Sequence, residues 1–196
     1  MDINTSLSEF LSLYVQLSMG DKVSDIRLAK KTDIEEIVRL QIRDFEAYKY
    51  LLPVSMVDSI LNRVREPDYM KTLSAQLKLK NVNLFLVQEG KDNKLSGFAQ
   101  GQIYAGVSEL GHVSFMWSDD VESSSRDLLE AYFKYSRSKN AHKVTTYTPS
   151  SLKQYIKIYV ENGFIPEGFL QNHFFSVDLL IMSRDLKTRI PSRSEF

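Results

Sequence analysis

The residues best suited to chemistry form a short polar segment between Trp117 and Ala131. An apolar run ends at Trp117, a polar turn follows, and a pattern typical of a helix then begins. A strand, a tight turn and a helix N-terminus together present backbone N–H groups that can bind an anion. The segment therefore predicts an anion site, although its turn contains no glycine. Its acids are Asp119, Asp120 and Glu122, and its candidate anion-binding residues are Ser123, Ser124, Ser125 and Arg126.

The composition limits the classes of protein to which the chain can belong. Its 196 residues, 43% hydrophobic and 26% charged, predict one globular domain with a substantial core. Lys+Arg and Asp+Glu both number 25, and this balance argues against general nucleic-acid binding, for which a basic excess is usual. The sequence has no cysteine, which excludes disulfides, thiolate metal sites and a cysteine nucleophile. Its three histidines stand far apart, so we expect no metal site.

The sequence shows no sign of a membrane or secretory destination. No apolar run approaches the ~20 residues that a transmembrane helix needs. The first residues carry no basic region ahead of the apolar ones, which argues against a secretory signal. We therefore expect a cytoplasmic protein that does not bind membranes.

Hydrophobic periodicity divides the chain into three parts. An amphipathic helix over 6–19 lies in an N-terminal extension, residues 1–22, and either packs on the domain or forms a homodimer contact. Residues 24–186 show the order β-α-α-β-β-β-α-β-α-β-β, which predicts one mixed α/β domain with a central three-strand meander. Capping-box patterns at 32–35 and 151–154 predict two helix starts. Residues 187–196 are polar, and we expect a flexible C-terminal tail.

Three segments of the domain carry a resemblance to a known family. They are a first pair, IRLA and TDIEEI at 26–29 and 32–37, taken as one segment; a second pair, LLEA and NAHKV at 128–131 and 140–144, taken as another; and IYVENGF at 158–164. In this order and spacing they resemble parts of the GNAT superfamily of acetyl-CoA-dependent N-acetyltransferases. The resemblance covers about residues 24–186. It implies a mostly antiparallel, twisted sheet of about seven strands flanked by helices, here with an extra N-terminal helix.

The resemblance gives the anion site an identity as the turn that binds the pyrophosphate of acetyl-CoA. In the family this turn carries a basic residue and two glycines, and these positions fall here on Asp120, Ser123 and Ser125. Serine can still donate N–H and O–H bonds, but the acids place negative charge beside the phosphates, which they repel. Two functions therefore stay open. One is an N-acetyltransferase that uses acetyl-CoA, and the other is a non-catalytic GNAT-fold binding or regulatory module that has lost normal CoA binding.

The resemblance also implies roles for residues near the reacting groups. It makes Tyr159 the acid that protonates the leaving thiolate, a role that suits a phenol because its pKa of ~10 is close to that of a thiol. The alternative for Tyr159 is a half-buried aromatic residue at a helix end. Backbone N–H groups around Phe115, Met116 and Trp117 would bind the donor and the oxyanion, while their side chains belong to the core.

The base and the acceptor site are less closely defined by the resemblance. Glu109 and His112 are the two candidates for the general base, and histidine has the resting pKa closer to neutrality. Each candidate can also be an ordinary residue of a strand. The acceptor is expected to be an amine of a small molecule or a peptide. The candidate acceptor-binding residues, which could equally be packing residues, are Phe45, Tyr48, Tyr50 and His173.

Overall fold

The computed structural model of the protein describes residues 26–80, 82–90, 92, 94–104, 110–118 and 123–186. The predicted helix over 6–19 and the predicted tail over 187–196 lie outside the described residues. The extension, its homodimer contact and the tail therefore stay predictions. Among the helices that the structure describes, none combines the length and the apolar character needed to cross a bilayer.

The described residues form seven strands, five α-helices and one short 3₁₀ helix at Lys31–Asp33. The strands are β1 (Ile26–Leu28), β2 (Asn83–Glu89), β3 (Leu95–Tyr104), β4 (Leu110–Ser118), β5 (Lys143–Pro149), β6 (Ile165–Phe174) and β7 (Val177–Asp185). The helices are α1 (Ile34–Tyr48), α2 (Val54–Arg65), α3 (Tyr69–Lys78), α4 (Ser123–Ser138) and α5 (Lys153–Glu161). This succession matches the predicted one except that three α-helices, and not two, lie between β1 and β2. The second predicted helix is divided into α2 and α3 by a break that contains Pro67.

All seven strands belong to one sheet, in the order β1-β2-β3-β4-β5-β7-β6. Neighbouring strands are antiparallel except for β4 and β5, which run parallel. The predicted mixed α/β fold with a mostly antiparallel sheet is thus confirmed. Because parallel strands end at the same edge of a sheet, the carboxyl ends of β4 and β5 lie side by side.

An irregularity in β4 bends the strand near its middle. Gln100 of β3 pairs with Phe115, whereas the next residue, Gly101, pairs with Val113, so Ser114 is an extra residue in β4. A β-bulge of this kind bends its strand and increases the local twist. The bulge therefore turns the second half of β4 away from the course set by its first half.

The parallel pairing of β4 with β5 ends at the same point. Residues 110–113 of β4 pair with residues 143–146 of β5. Beyond these residues β4 continues to Ser118 and β5 to Pro149 without further pairing between them. The two strands therefore diverge and open a gap between their carboxyl ends.

Helix α4 covers the sheet beside this gap through one buried stripe. The stripe residues, spaced at helical intervals, are Ser125, Leu128, Leu129, Tyr132, Phe133 and Ser136. The Tyr132 hydroxyl lies 2.8 Å from the His112 carbonyl oxygen and 3.2 Å from that of Gln102. Its proton therefore bonds to backbone oxygens of both β3 and β4 next to the bulge, which ties α4 to the bent strand.

Both helices begin inside the segments where capping boxes predicted a start, but neither start has the predicted side-chain cap. Helix α1 begins at Ile34, after the 3₁₀ turn, where the Asp33 carboxylate accepts the Lys30 backbone N–H at 2.6 Å. Asp33 is also held by Arg27, at 2.7 Å, so this acid and not Thr32 organises the start of the helix. Helix α5 begins at Lys153 with Leu152 as its N-cap and has no side-chain cap.

A substitution at Gly101 tests how closely the chain packs beside the bulge. A Cβ atom added at this position would lie 2.1 Å from the His112 carbonyl oxygen and 2.2 Å from the Tyr132 hydroxyl oxygen. We expect Gly101→Ala to lower the free energy of unfolding in urea by about 3 kcal/mol, because backbone atoms must move. Gly168→Ala is the control, since its Cβ would lie 3.3 Å from the flexible end of Ile181. Equal stability of the two variants would contradict this description of the bulge.

Candidate active site

A cavity of about 290 Å³ lies where β4 and β5 diverge. This volume is close to the lower end of the range for small-molecule sites, and the cavity is mostly apolar, as such sites usually are. Its walls come from α1, α2, β4, β5, α5 and the β6–β7 hairpin. The lining residues are Asp44, Phe45, Tyr48, Leu52, Met56, Ile60, Met116, Thr146, Tyr147, Thr148, Pro149, Leu152, Tyr155, Tyr159, Phe174 and Leu179.

Tyr159, the predicted acid, forms part of the wall that α5 contributes. Its side chain is only 4% exposed, and its ring meets Phe164 edge-on at a centroid distance of 5.1 Å. The hydroxyl is hydrogen-bonded to Thr146, whose own hydroxyl donates to the Val113 carbonyl oxygen at 3.0 Å. Burial raises the pKa of Tyr159 to about 12. The phenol therefore keeps its proton at neutral pH and faces the gap as a potential proton donor.

Asp44 is a cavity residue that the sequence analysis did not single out. It lies on α1 and is 3% exposed, and its Oδ2 atom has no hydrogen-bond partner among the described residues. Burial raises its pKa to about 8, an effect opposed in part by a hydrogen bond from Tyr48 and by the charge of Arg43. A buried carboxyl with an unpaired oxygen is costly, so its position at a cavity wall points to a role in ligand binding.

A signal for Asp44 is present in the sequence. The buried stripe of α1 consists of Ile34, Ile37, Leu40, Gln41 and Asp44, at helical spacing. An acid at an apolar position of an amphipathic helix is unusual, because aspartate is almost never buried without a partner. That pattern could have identified Asp44 without any resemblance to a family.

Of the two predicted bases, His112 alone lies among the described residues, and it does not line this cavity. Glu109 lies outside the described residues. The Nδ1 atom of His112 lies 3.0 Å from Thr145 Oγ1, and its ring centroid lies 5.0 Å from that of Tyr147. Burial lowers the pKa of His112, which keeps the imidazole neutral, but His112 is not among the residues that line the cavity. Side chains alternate along β5, so Thr145 beside His112 projects from the face opposite to Thr146.

The four predicted acceptor-binding residues separate into two pairs. Phe45 and Tyr48 line the cavity from α1. Tyr50 is 85% exposed, and the Lys49 ammonium lies 5.2 Å from the centre of its ring. His173 is exposed on β6. Neither Tyr50 nor His173 lines the cavity, because α1 ends at Tyr48 and the outer part of β6 faces solvent.

The gap between β4 and β5 fits the predicted path of the donor. Met116 is buried and lines the cavity, while the side chains of Phe115 and Trp117 lie outside the described part of the structure. All three residues lie on β4 beyond its pairing with β5. Backbone groups on the β5 side of this segment therefore lack a strand partner and can bond to an extended ligand.

The N-terminus of α4 lies at the same edge of the sheet. Its first-turn N–H groups have no intrahelical acceptors and carry the positive end of the helix dipole. Ser124 is half-buried and Arg126 is exposed, whereas Ser125 is 0% exposed and its Oγ atom lacks a partner among the described residues. The Ser125 side chain thus packs towards the sheet, and its small size suits that contact. Residues 119–122 and the Ser123 side chain lie outside the described residues.

Comparison with known proteins gives matches among solved structures alone. Neither a protein-family model nor a curated protein sequence matches the chain. The spermidine N-acetyltransferase of Vibrio cholerae, solved with CoA and spermine, is 18% identical, with a TM-score of 0.68 over 85% of this chain and 97% of that chain. The PaiA N-acetyltransferase of Thermoplasma acidophilum, solved with coenzyme A, is 18% identical, with a TM-score of 0.66 over 82% and 98%.

A third similar structure has a different acceptor in its name. The ribosomal-protein-S5-alanine acetyltransferase of Vibrio fischeri is 16% identical, with a TM-score of 0.64 over 83% of this chain and 92% of that chain. The chain therefore has the fold of the GNAT acetyltransferases, which confirms the fold that the sequence resemblance implied. At these identities the likeness leaves the acceptor undefined.

The raised pKa of Asp44 predicts a stability that depends on pH. In the unfolded chain Asp44 ionises near its ordinary pKa of 3.8, whereas the folded protein favours the protonated form until about pH 8. As the pH rises through this window, ionisation of the unfolded state lowers the stability by at most about 1.4 kcal/mol per pH unit. Asp44→Asn removes this loss, so we expect its melting temperature to exceed that of the natural protein by a margin that grows from pH 4 to neutrality.

Glu46→Gln is the matched control for this measurement. Glu46 lies on the same helix but is exposed and pairs with Arg65 at 2.6 Å. We expect its melting curves to follow those of the natural protein across the same pH range. If Asp44→Asn were the less stable protein at neutral pH, Asp44 would be a stabilising ion-pair partner and this assignment would be wrong.

Proposed function

We propose that the protein transfers an acetyl group from acetyl-CoA to the amine of an acceptor bound in the cavity. The observation that carries this proposal is a protonated, buried phenol, Tyr159, at the cavity wall beside the point where β4 and β5 diverge. The fold shared with solved acetyltransferases supports the reaction class. Titration with acetyl-CoA and turnover by a Tyr159 variant test the proposal.

In this proposal the donor lies along the gap between β4 and β5. Backbone N–H groups of residues 115–117 bond to its extended arm and to the thioester oxygen. Its pyrophosphate binds to the first-turn N–H groups of α4 and to the exposed Arg126 side chain. Arg126 also offsets part of the negative charge that Asp119, Asp120 and Glu122 bring to the preceding turn.

The transfer exchanges one bond to the acyl carbon for another. The lone pair of a neutral amine forms the new C–N bond, and the C–S bond breaks with its electron pair going to sulfur. Tyr159 gives its proton to the sulfur, and the proton that the nitrogen then loses restores the phenol. A bound alkylammonium must lose one proton before this step, so the cavity also needs a base that faces the amine.

Calorimetric titration with acetyl-CoA tests the donor site. We expect saturable binding to the natural protein and roughly three- to tenfold weaker binding for Arg126→Ala, because one charged hydrogen bond to phosphate is lost. Arg137→Ala is the control, since Arg137 lies in the last turn of the same helix. No heat of binding with either acetyl-CoA or CoA would overturn the proposal and favour the non-catalytic GNAT-fold module.

Replacement of the phenol tests the acid. We expect Tyr159→Phe to lower kcat by about 100-fold or more, which is the usual contribution of a general acid. The ring contact with Phe164 is kept, so the dissociation constant for acetyl-CoA and the melting temperature should not change. An unchanged kcat, or loss of acetyl-CoA binding together with activity, would show that Tyr159 is a packing residue.

A further inference from the structure

We propose that Asp44 binds the acceptor as an ammonium ion and removes its proton, and that the acceptor is a monocationic primary amine on an apolar body. This inference rests on the proposed function and deepens it by naming the base and the class of substrate. It assigns the role of the base to a residue of α1, because His112 does not line the cavity.

The environment of Asp44 is that of a ligand-binding carboxylate. Among the described residues that line the cavity, Asp44 alone carries an Asp, Glu, Lys, Arg or His side chain. It is almost fully buried, yet Oδ2 has no hydrogen-bond partner there. A buried charge without a partner is strongly unfavourable, and a bound cation would supply the missing partner.

Two tyrosines hold the carboxyl group in place. Tyr48, one helical turn further along α1, is hydrogen-bonded both to Asp44 and to Tyr155 of α5. The rings of Tyr48 and Tyr155 meet edge-on, with centroids 5.8 Å apart. Tyr48 donates to the carboxylate, and its second hydrogen bond, with the Tyr155 hydroxyl, extends the chain to α5. This chain occupies one carboxyl oxygen and leaves Oδ2 for the ligand.

The remaining wall of the cavity determines which amines fit. Beside Asp44 it consists mainly of apolar side chains such as Leu52, Met56, Ile60 and Leu152. An apolar body gains free energy there in proportion to the area removed from water. A polyamine would bring further positive charges into the same cavity, where the described lining offers no second carboxylate to pair with them. The cavity therefore selects one positive charge and an apolar remainder.

The proton transfer follows from burial of the ion pair. An ammonium ion beside Asp44 gives one proton to Oδ2, which leaves a neutral amine and a protonated carboxyl. A site poor in water favours this neutral pair, because burial raises the pKa of a carboxyl and lowers that of an ammonium. The amine lone pair then attacks the acyl carbon, and Asp44 releases its proton to water when the product leaves.

Asp44 is the group expected to control the pH dependence of amine binding. Burial keeps the pKa values of Tyr48, Tyr155 and Tyr159 above the usual range, so these phenols stay protonated while Asp44 titrates. The described residues of α2, β4, β6 and β7 add no ionisable side chain to the lining. The ionisable groups facing or adjoining Asp44 are Arg43, Tyr48, Tyr147, Tyr155 and Tyr159.

Calorimetry with phenethylamine, in the absence of acetyl-CoA, tests the inference on the full chain. We expect binding to tighten about tenfold per pH unit below the pKa of Asp44, because one proton is released, and to level off above it. Asp44→Asn should bind at least about tenfold more weakly, the usual effect of losing a buried charge partner, and should lose this pH dependence. Glu46→Gln should behave like the natural protein. Spermidine should bind more weakly than phenethylamine.

Several results would overturn the inference. They are an absence of phenethylamine binding to the natural protein, phenethylamine binding that is unchanged in Asp44→Asn, tighter binding of spermidine than of phenethylamine, or a loss of amine binding in His112→Gln alone. Melting curves of each variant show that it is folded.

Failure of this inference can be told apart from failure of the proposed function. The proposed function fails if acetyl-CoA does not bind or if no acetylated amine forms. Amine binding through Asp44 without acetyl transfer would retain the amine site while removing the proposed reaction. Acetyl transfer that is unchanged in Asp44→Asn would retain the proposed reaction and remove the proposed role of Asp44.

Discussion

The parallel pairing between β4 and β5 ends after residues 113 and 146, and the candidate site depends on this interruption. Backbone N–H and C=O groups inside a protein need partners, so two neighbouring strands can diverge only where something else binds their backbones. The extra residue Ser114 begins the divergence, and Gly101 and Tyr132 hold the bent strand closely from β3 and α4. The contacts of Gly101 and Tyr132 beside the bulge are made within the protein and do not depend on a ligand.

The same cavity illustrates how a binding site opposes stability. Asp44 occupies a position on α1 where an apolar residue would contribute to the core, and burial of its carboxyl group is unfavourable. Tyr48 compensates in part, because its hydroxyl donates to one of the two carboxyl oxygens. A natural protein retains such a residue when function requires it, since most neutral replacements would be more stable.

Periodicity in the sequence predicts the strand order and all the helices except the division between α2 and α3. Tyr159 and Met116, which the family resemblance singles out, both line the cavity, while their roles stay predictions. The capping boxes at 32–35 and 151–154 do not form. At the first, Asp33 is bound by Arg27 of β1. At the second, the helix begins without a side-chain cap. Tyr50 lies only two residues after Tyr48 in the sequence, but α1 ends between them, and Tyr48 lines the cavity whereas Tyr50 does not. The family resemblance implies a base near the start of β4, so it gives no indication of Asp44 on α1. The bulge at Ser114 could not be predicted, because strand register depends on pairing between distant segments.

A crystal structure of the protein with CoA and phenethylamine would show whether the acyl donor and the amine meet at this cavity. We expect the CoA arm between β4 and β5, with its sulfur within about 3–4 Å of the Tyr159 hydroxyl. We also expect the amine nitrogen within about 3 Å of Asp44 Oδ2, as a charged hydrogen bond requires. CoA bound elsewhere, or an amine that does not contact Asp44, would contradict the proposed site.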